Sequence, residues 1–229
     1  MLGLERNPMG RILIILTLIL STPAPSFAGA WLREKGKAFT ALSVTAYKDE
    51  DGFYDSKTSI YAEYALRPGI TIGLDAEENQ NYYGHALIFA RLPIADFDHS
   101  GRFAAELGVG VHHRHLRSWA LYKATLSYGK GFHSRWGNGW VALDAIVEHR
   151  THEATIHKLD FTAGLNSNRW LDPLLQIETS HASGSSPYWS IRPAVLIRPR
   201  KRQDVWLLGV ERNSYRNRLG IKFALWREF

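Results

Sequence analysis

The chain has 229 residues, and no Pro/Gly/Ser-rich linker or shift of composition divides it, so it reads as one domain behind a leader. A hydrophobic fraction of 45% with a mean hydropathy of -0.24 is too polar for a bundle of membrane helices, yet 8 Trp, 10 Tyr and 10 Phe are many for so polar a chain. That pairing suits a barrel with a wet inside and an oily outside. The formal charge of +6 would also suit nucleic acid, but an exported chain meets lipid phosphates instead, and the lack of cysteine avoids wrong disulfides in an oxidising compartment.

Residues 1–28 carry Arg6 and Arg11, an apolar run from Ile12 to Leu20, and the small-residue segment Ser21-Thr22-Pro23-Ala24-Pro25-Ser26-Phe27-Ala28. This is the order of a cleavable secretory signal, with the cut after Ala28 or Ala30. The run is about half the length of a membrane-spanning helix, and no later stretch is long and apolar enough to span as one, so residues 29–229 must cross a membrane as strands if they cross it at all.

Period-two alternation recurs through the mature chain and predicts strands near 37–47, 59–66, 70–78, 84–92, 102–112, 120–128, 139–149, 156–165, 171–180, 188–197, 204–212 and 217–229. That makes an all-β antiparallel transmembrane barrel of about twelve strands, with ten or fourteen as the neighbouring even counts. Two hairpins test the reading, because correct register sets apolar against apolar on one face. Folding about Arg67-Pro68-Gly69 pairs Leu66 with Ile70, Tyr64 with Ile72 and Ala62 with Leu74. Folding about Glu153 pairs Val147 with Leu159 and Ala145 with Phe161, and sets Glu148 opposite Lys158. Tyr47, Tyr82, Tyr83, Trp119, Trp140, Trp170, Tyr188, Trp189 and Trp206 fall toward strand ends, as in interfacial girdles.

In the last strand Ile221, Phe223, Leu225 and Phe229 share one face, interrupted by Arg227. Here the chain resembles bacterial outer-membrane barrels, whose final strand alternates in this way and ends in an aromatic read by the barrel-assembly machinery. The resemblance implies that Phe229 is an assembly signal and that the protein lies in the outer membrane of a Gram-negative bacterium. The start Gly29-Ala30-Trp31-Leu32-Arg33-Glu34-Lys35-Gly36 and the end Leu225-Trp226-Arg227-Glu228-Phe229 are also similar to a group of proteobacterial outer-membrane proteins with no assigned activity.

The polar face predicts a lumen lined by Glu63, Asp75, Glu77 and Glu106 early, by Lys123, Asp144, Glu148, Lys158 and Asp160 in the middle, and by Glu178, Arg192, Arg218 and Lys222 late. An acidic early wall facing a basic late one would put a transverse field across a channel for small polar solutes; a salt-bridge network filling a narrow lumen in a structural surface protein is the other reading. No cofactor is implied. The partners expected are outer-membrane lipids, lipopolysaccharide and, through the last strand, the assembly machinery.

Four weaker patterns remain. His149 and His157 would face each other across a hairpin, though no histidine spacing matches a metal motif. Glu178, His181 and Ser183 look like the catalytic region of outer-membrane lipid A deacylases and phospholipases, which would make the chain an acyl hydrolase; the Asn that follows Ser in that family is Gly184 here. Asp49-Glu50-Asp51-Gly52 with Asp55 reads as an acidic outer loop, and Arg198-Pro199-Arg200-Lys201-Arg202 as a solvated basic turn.

Overall fold

In a computed structural model the described residues are 30–80, 82–167, 169–199, 204–215 and 218–229. The leader and Arg200 to Arg202 lie outside them. Twelve strands follow in order: β1 (Ala38–Lys48), β2 (Tyr54–Arg67), β3 (Ile70–Asn79), β4 (Tyr83–Asp96), β5 (Arg102–Arg114), β6 (Arg117–Ser134), β7 (Gly137–Arg150), β8 (Ile156–Asn166), β9 (Leu171–Ala182), β10 (Tyr188–Ile197), β11 (Asp204–Asn213) and β12 (Leu219–Glu228). Each pairs antiparallel with its sequence neighbours, and β1 pairs with β12 to close the barrel. Closure leaves no free edge, so every ladder of backbone donors and acceptors is matched within the chain. The main chain of Phe229 completes the seam, exchanging hydrogen bonds with Ala38 at 3.0 and 3.2 Å. We call the end where β1 starts and β12 finishes the near mouth, and the opposite end the far mouth.

The alternation places the exterior. Ile88, Leu107 and Ile221 are 64, 69 and 60% exposed, and Leu42, Val44, Ile60, Ile72, Leu74, Val109, Leu126, Leu208 and Phe223 face the same way on their strands. An apolar surface continuous over twelve strands is far larger than the patches a protein in water tolerates. The register of the β2–β3 hairpin is Ala62 with Leu74 and Tyr64 with Ile72; a bulge at Ala65/Arg67 sets Arg67, rather than Leu66, opposite Ile70. In the β7–β8 hairpin the expected register is two residues off: Val147 pairs with His157, Ala145 with Leu159 and Leu143 with Phe161. A shift of two keeps every side chain on its face. Glu148 and Lys158 therefore sit diagonally rather than directly opposite, and still form an ion pair.

Two strands run well past their expected ends. β2 begins at Tyr54 because the polar run Asp55-Ser56-Lys57 sends Asp55 to Arg218 and Lys57 to Glu77 inside the barrel. β6 continues through Gly129-Lys130-Gly131, past its expected end at residue 128. Five of the expected girdle aromatics point inward instead: Tyr47 and Trp140 are each 3% exposed, Trp119 stacks on the inward His112, Tyr188 lines the lumen and Tyr83 shares the face of Leu87 and Arg91, because strand parity outranks position along the strand. Tyr82, Trp170, Trp189 and Trp206 stay outside or at the rim.

Candidate functional site: the barrel lumen

The connections between strands run from two to six residues at the near mouth and from two to five at the far mouth, too short to fold deep into the bore. Among the described residues, what fills the lumen is side chains and the segment ahead of β1.

Mid-lumen is an ionic lattice. Arg91 on β4 donates to Glu63 of β2 at 2.9 Å, to Glu106 of β5 at 2.6 Å and to the Tyr61 hydroxyl at 2.8 Å, while Tyr61 donates to Glu63 at 2.9 Å. Lys123 bridges Asp75 at 3.0 Å and Glu106 at 3.2 Å, and His85 approaches Asp75 at 3.6 Å. Across the bore Arg192, 1% exposed, donates to Glu211 at 2.9 Å through Nε, to Glu178 at 3.0 Å and to Gln176 at 3.0 Å. Glu211, fully buried, also accepts from Tyr47 at 2.8 Å and from Asn213 at 3.1 Å. On β7 and β8, Glu148 takes Arg150 at 2.9 Å and Lys158. Toward the far mouth Arg218 pairs with Asp55 and lies between the rings of Tyr47 and Tyr215, 4.5 and 4.7 Å from their centroids.

This changes the expected field. Each of Glu63, Asp75, Glu77 and Glu106 carries a cation from a neighbouring element, and Arg192 and Arg218 carry carboxylates. Opposed walls become local pairs, although Lys222 on β12 has no ion pair among the described residues. Arg91, Lys57 and Glu211, absent from the sequence-derived wall, make the difference. Asp144 and Asp160 stand apart: they face each other directly on β7 and β8, and Oδ1 of each is buried without a hydrogen-bonding partner among the described residues. Glu178 continues their row opposite Asp160 on β9.

The near mouth carries an apolar cluster on one side. Trp140, Ala142, Leu174, Leu196, Leu207 and Ala224, from β7 and β9 to β12, form one buried cluster, with Val205 and Trp226 against it. Into this cluster packs Trp31, its ring edge-on to Trp140 at a centroid distance of 6.3 Å. Gly129 of β6 makes room, since a Cβ there would lie 2.4 Å from the Trp31 ring. Two residues on, Arg33 pairs with Glu63 and reaches Glu228 at 3.4 Å, with its guanidinium 4.5 Å from the Phe39 ring. Phe39 leads through Tyr61 to Phe89, which stacks on Tyr61 at 5.6 Å.

The catalytic pattern is not assembled. Glu178 points inward to Arg192, whereas His181 lies on the opposite face of β9 and is exposed, and Ser183 sits in the turn beyond. Residues an odd number apart on a strand cannot converge. His149 and His157 do not meet either: His149 stacks on Tyr122 and contacts Thr155, while His157 lies opposite Val147 and His181. Arg227 lies at the near rim with its guanidinium on Asp204, which accounts for its break in the apolar face.

No family model and no curated protein matches the chain. Among solved structures it is similar to the KdgM porin in complex with disordered oligogalacturonate (TM-score 0.59, 9% identity, 82% of this chain and 99% of that one). It is likewise similar to an outer membrane channel from Pseudomonas putida F1 (TM-score 0.59, 9% identity, 90% and 100%) and to the NanC porin (TM-score 0.54, 8% identity, 80% and 98%). At such identities the likeness is one of fold: a closed antiparallel barrel of the porin and channel type.

Proposed function

We propose that this protein is an exported outer-membrane barrel that conducts small polar solutes through a narrow, ion-paired lumen. The carrying observation is the division of one closed sheet into an apolar exterior, suited to lipid, and an interior of matched charges, suited to a polar solute path. The fold of the KdgM and NanC porins and of the Pseudomonas putida channel supports the same reading. On this reading the near mouth is periplasmic, the exterior meets lipid and lipopolysaccharide, and Phe229 presents the last strand to the assembly machinery. A channel needs no catalytic group, and the placement of Glu178, His181 and Ser183 supplies none.

Purified, folded protein in planar bilayers should give discrete conductance steps, smaller than those of barrels with sixteen or more strands. Folded, inserted protein that stays silent both with and without residues 30–33 contradicts transport and leaves a structural barrel.

A further inference from the structure

We infer that residues 30–36 form a cork in the near mouth, with Trp31 setting the bore of the pore and Arg33 latching the cork to the wall. The inference rests on the channel reading for its purpose, but its geometry stands alone.

At the near mouth Leu196 and Leu207 are 0% exposed, Ala224 is 1% and Trp140 is 3%, so water does not reach this stretch of the wall. The wall cannot close itself over them, because its connections are short and several of its inward residues are small: Ala142, Ala194, Ala224 and Gly129. A ring of small residues leaves a gap, and the Trp31 indole lies in it, touching the β6 wall at Gly129 and the cluster built from β7 and β9 to β12. Beyond the indole the segment crosses to the other side of the bore. Arg33 binds Glu63 of β2 and Glu228 of β12, Gly36 donates its N–H to Ala65 at 2.9 Å, and β1 begins.

The attachment is of a kind that can let go. Between Ala30 and Gly36 the chain has no strand pairing, and the contacts described for it are side-chain ones at Trp31 and Arg33 and the Gly36 N–H on Ala65. If the cork leaves, Glu63 keeps Arg91 and the Tyr61 hydroxyl, so the lattice behind it survives. The wall is thus built to stand with or without the cork. A solute reaching the near mouth has to displace Trp31, and the fraction of time the indole is out sets the flux.

The absence of cysteine allows a direct test. Ala142→Cys places one thiol beneath the indole, and its rate of reaction with a water-soluble maleimide is measured in folded protein, checked by heat-modifiable migration, alongside single-channel conductance. Trp31→Ala should speed labelling at least tenfold and raise conductance severalfold; Trp31→Phe should restore much of the protection. Gly129→Ala, whose Cβ displaces the ring, should act like Trp31→Ala and serves if that variant folds poorly. Labelling that is unchanged in the variants overturns the cork, whatever the conductance. Faster labelling with an unaltered conductance overturns Trp31 as the bore-setting residue. Faster labelling with no conductance in any protein upholds the cork and counts against the channel.

Discussion

Replacing Arg192 by Met is the sharpest perturbation of the lumen. The guanidinium is 1% exposed and satisfies Glu211, Glu178 and Gln176 at once. Methionine keeps most of the stem volume but strands a carboxylate, Glu211, that is 0% exposed and left with only the Tyr47 hydroxyl and the Asn213 amide. Breaking a buried pair from one side costs about 3–5 kcal/mol, because the remaining charge has neither water nor partner. Glu178, with a third of its side chain exposed, can turn to water and adds little. In equilibrium urea unfolding from lipid vesicles the single variant should therefore lose about 3–5 kcal/mol, roughly two to four powers of ten in the folding constant. Removing Glu211 as well, in Arg192→Met/Glu211→Met, should recover part of the loss: the apolar pair carries no desolvation penalty, but the Tyr47 hydroxyl and the Asn213 amide lose their acceptor. A single-variant loss below about 1 kcal/mol, the value of an exposed pair, would refute the reasoning and mean that water reaches Glu211.

Other perturbations test other parts. Phe229→Ala keeps the main-chain bonds to Ala38 that close the seam, so it should slow assembly in cells while leaving the refolded protein within about 1 kcal/mol of the parent; assembly at the parental rate would remove the recognition role. Asp144→Asn with Asp160→Asn removes two lumen carboxylates that make no ion pair among the described residues, and reversal potentials in asymmetric salt should show a lower cation preference; an unchanged ratio would place selectivity elsewhere. Gly73→Ala would bring a Cβ to 2.5 Å from the Ala62 carbonyl oxygen and into the Phe89 ring, so the stack of Phe89 on Tyr61 must shift, at about 1–3 kcal/mol in the same unfolding assay.

The barrel was legible because its exterior is written in period two: Ile70, Ile72, Leu74 or Phe103, Ala105, Leu107 declare a face without any neighbour being known. Register was less so, since the β7–β8 turn can close at two places that both keep Val147 and Leu159 outside. The lumen was legible only where it is charged. Leu87, Phe89, Leu174, Leu196 and Leu207 face inward, so the alternation that marks a wall between oil and water fades there and hides Arg91 between apolar neighbours. Trp31 carried no signal of its own. A tryptophan just after a leader reads as the start of a mature chain, and its role appears only when Gly129, about a hundred residues later, is seen to lack the side chain that would displace it.

If this sheet turns its apolar face to lipid, fractionation of a Gram-negative host exporting the full chain should place the protein in the outer membrane. Unheated and heated samples of each fraction, run side by side on a denaturing gel, should show there a band whose migration changes on heating, as a closed barrel resists unfolding by detergent. Recovery of the folded protein in the soluble periplasm would contradict that orientation.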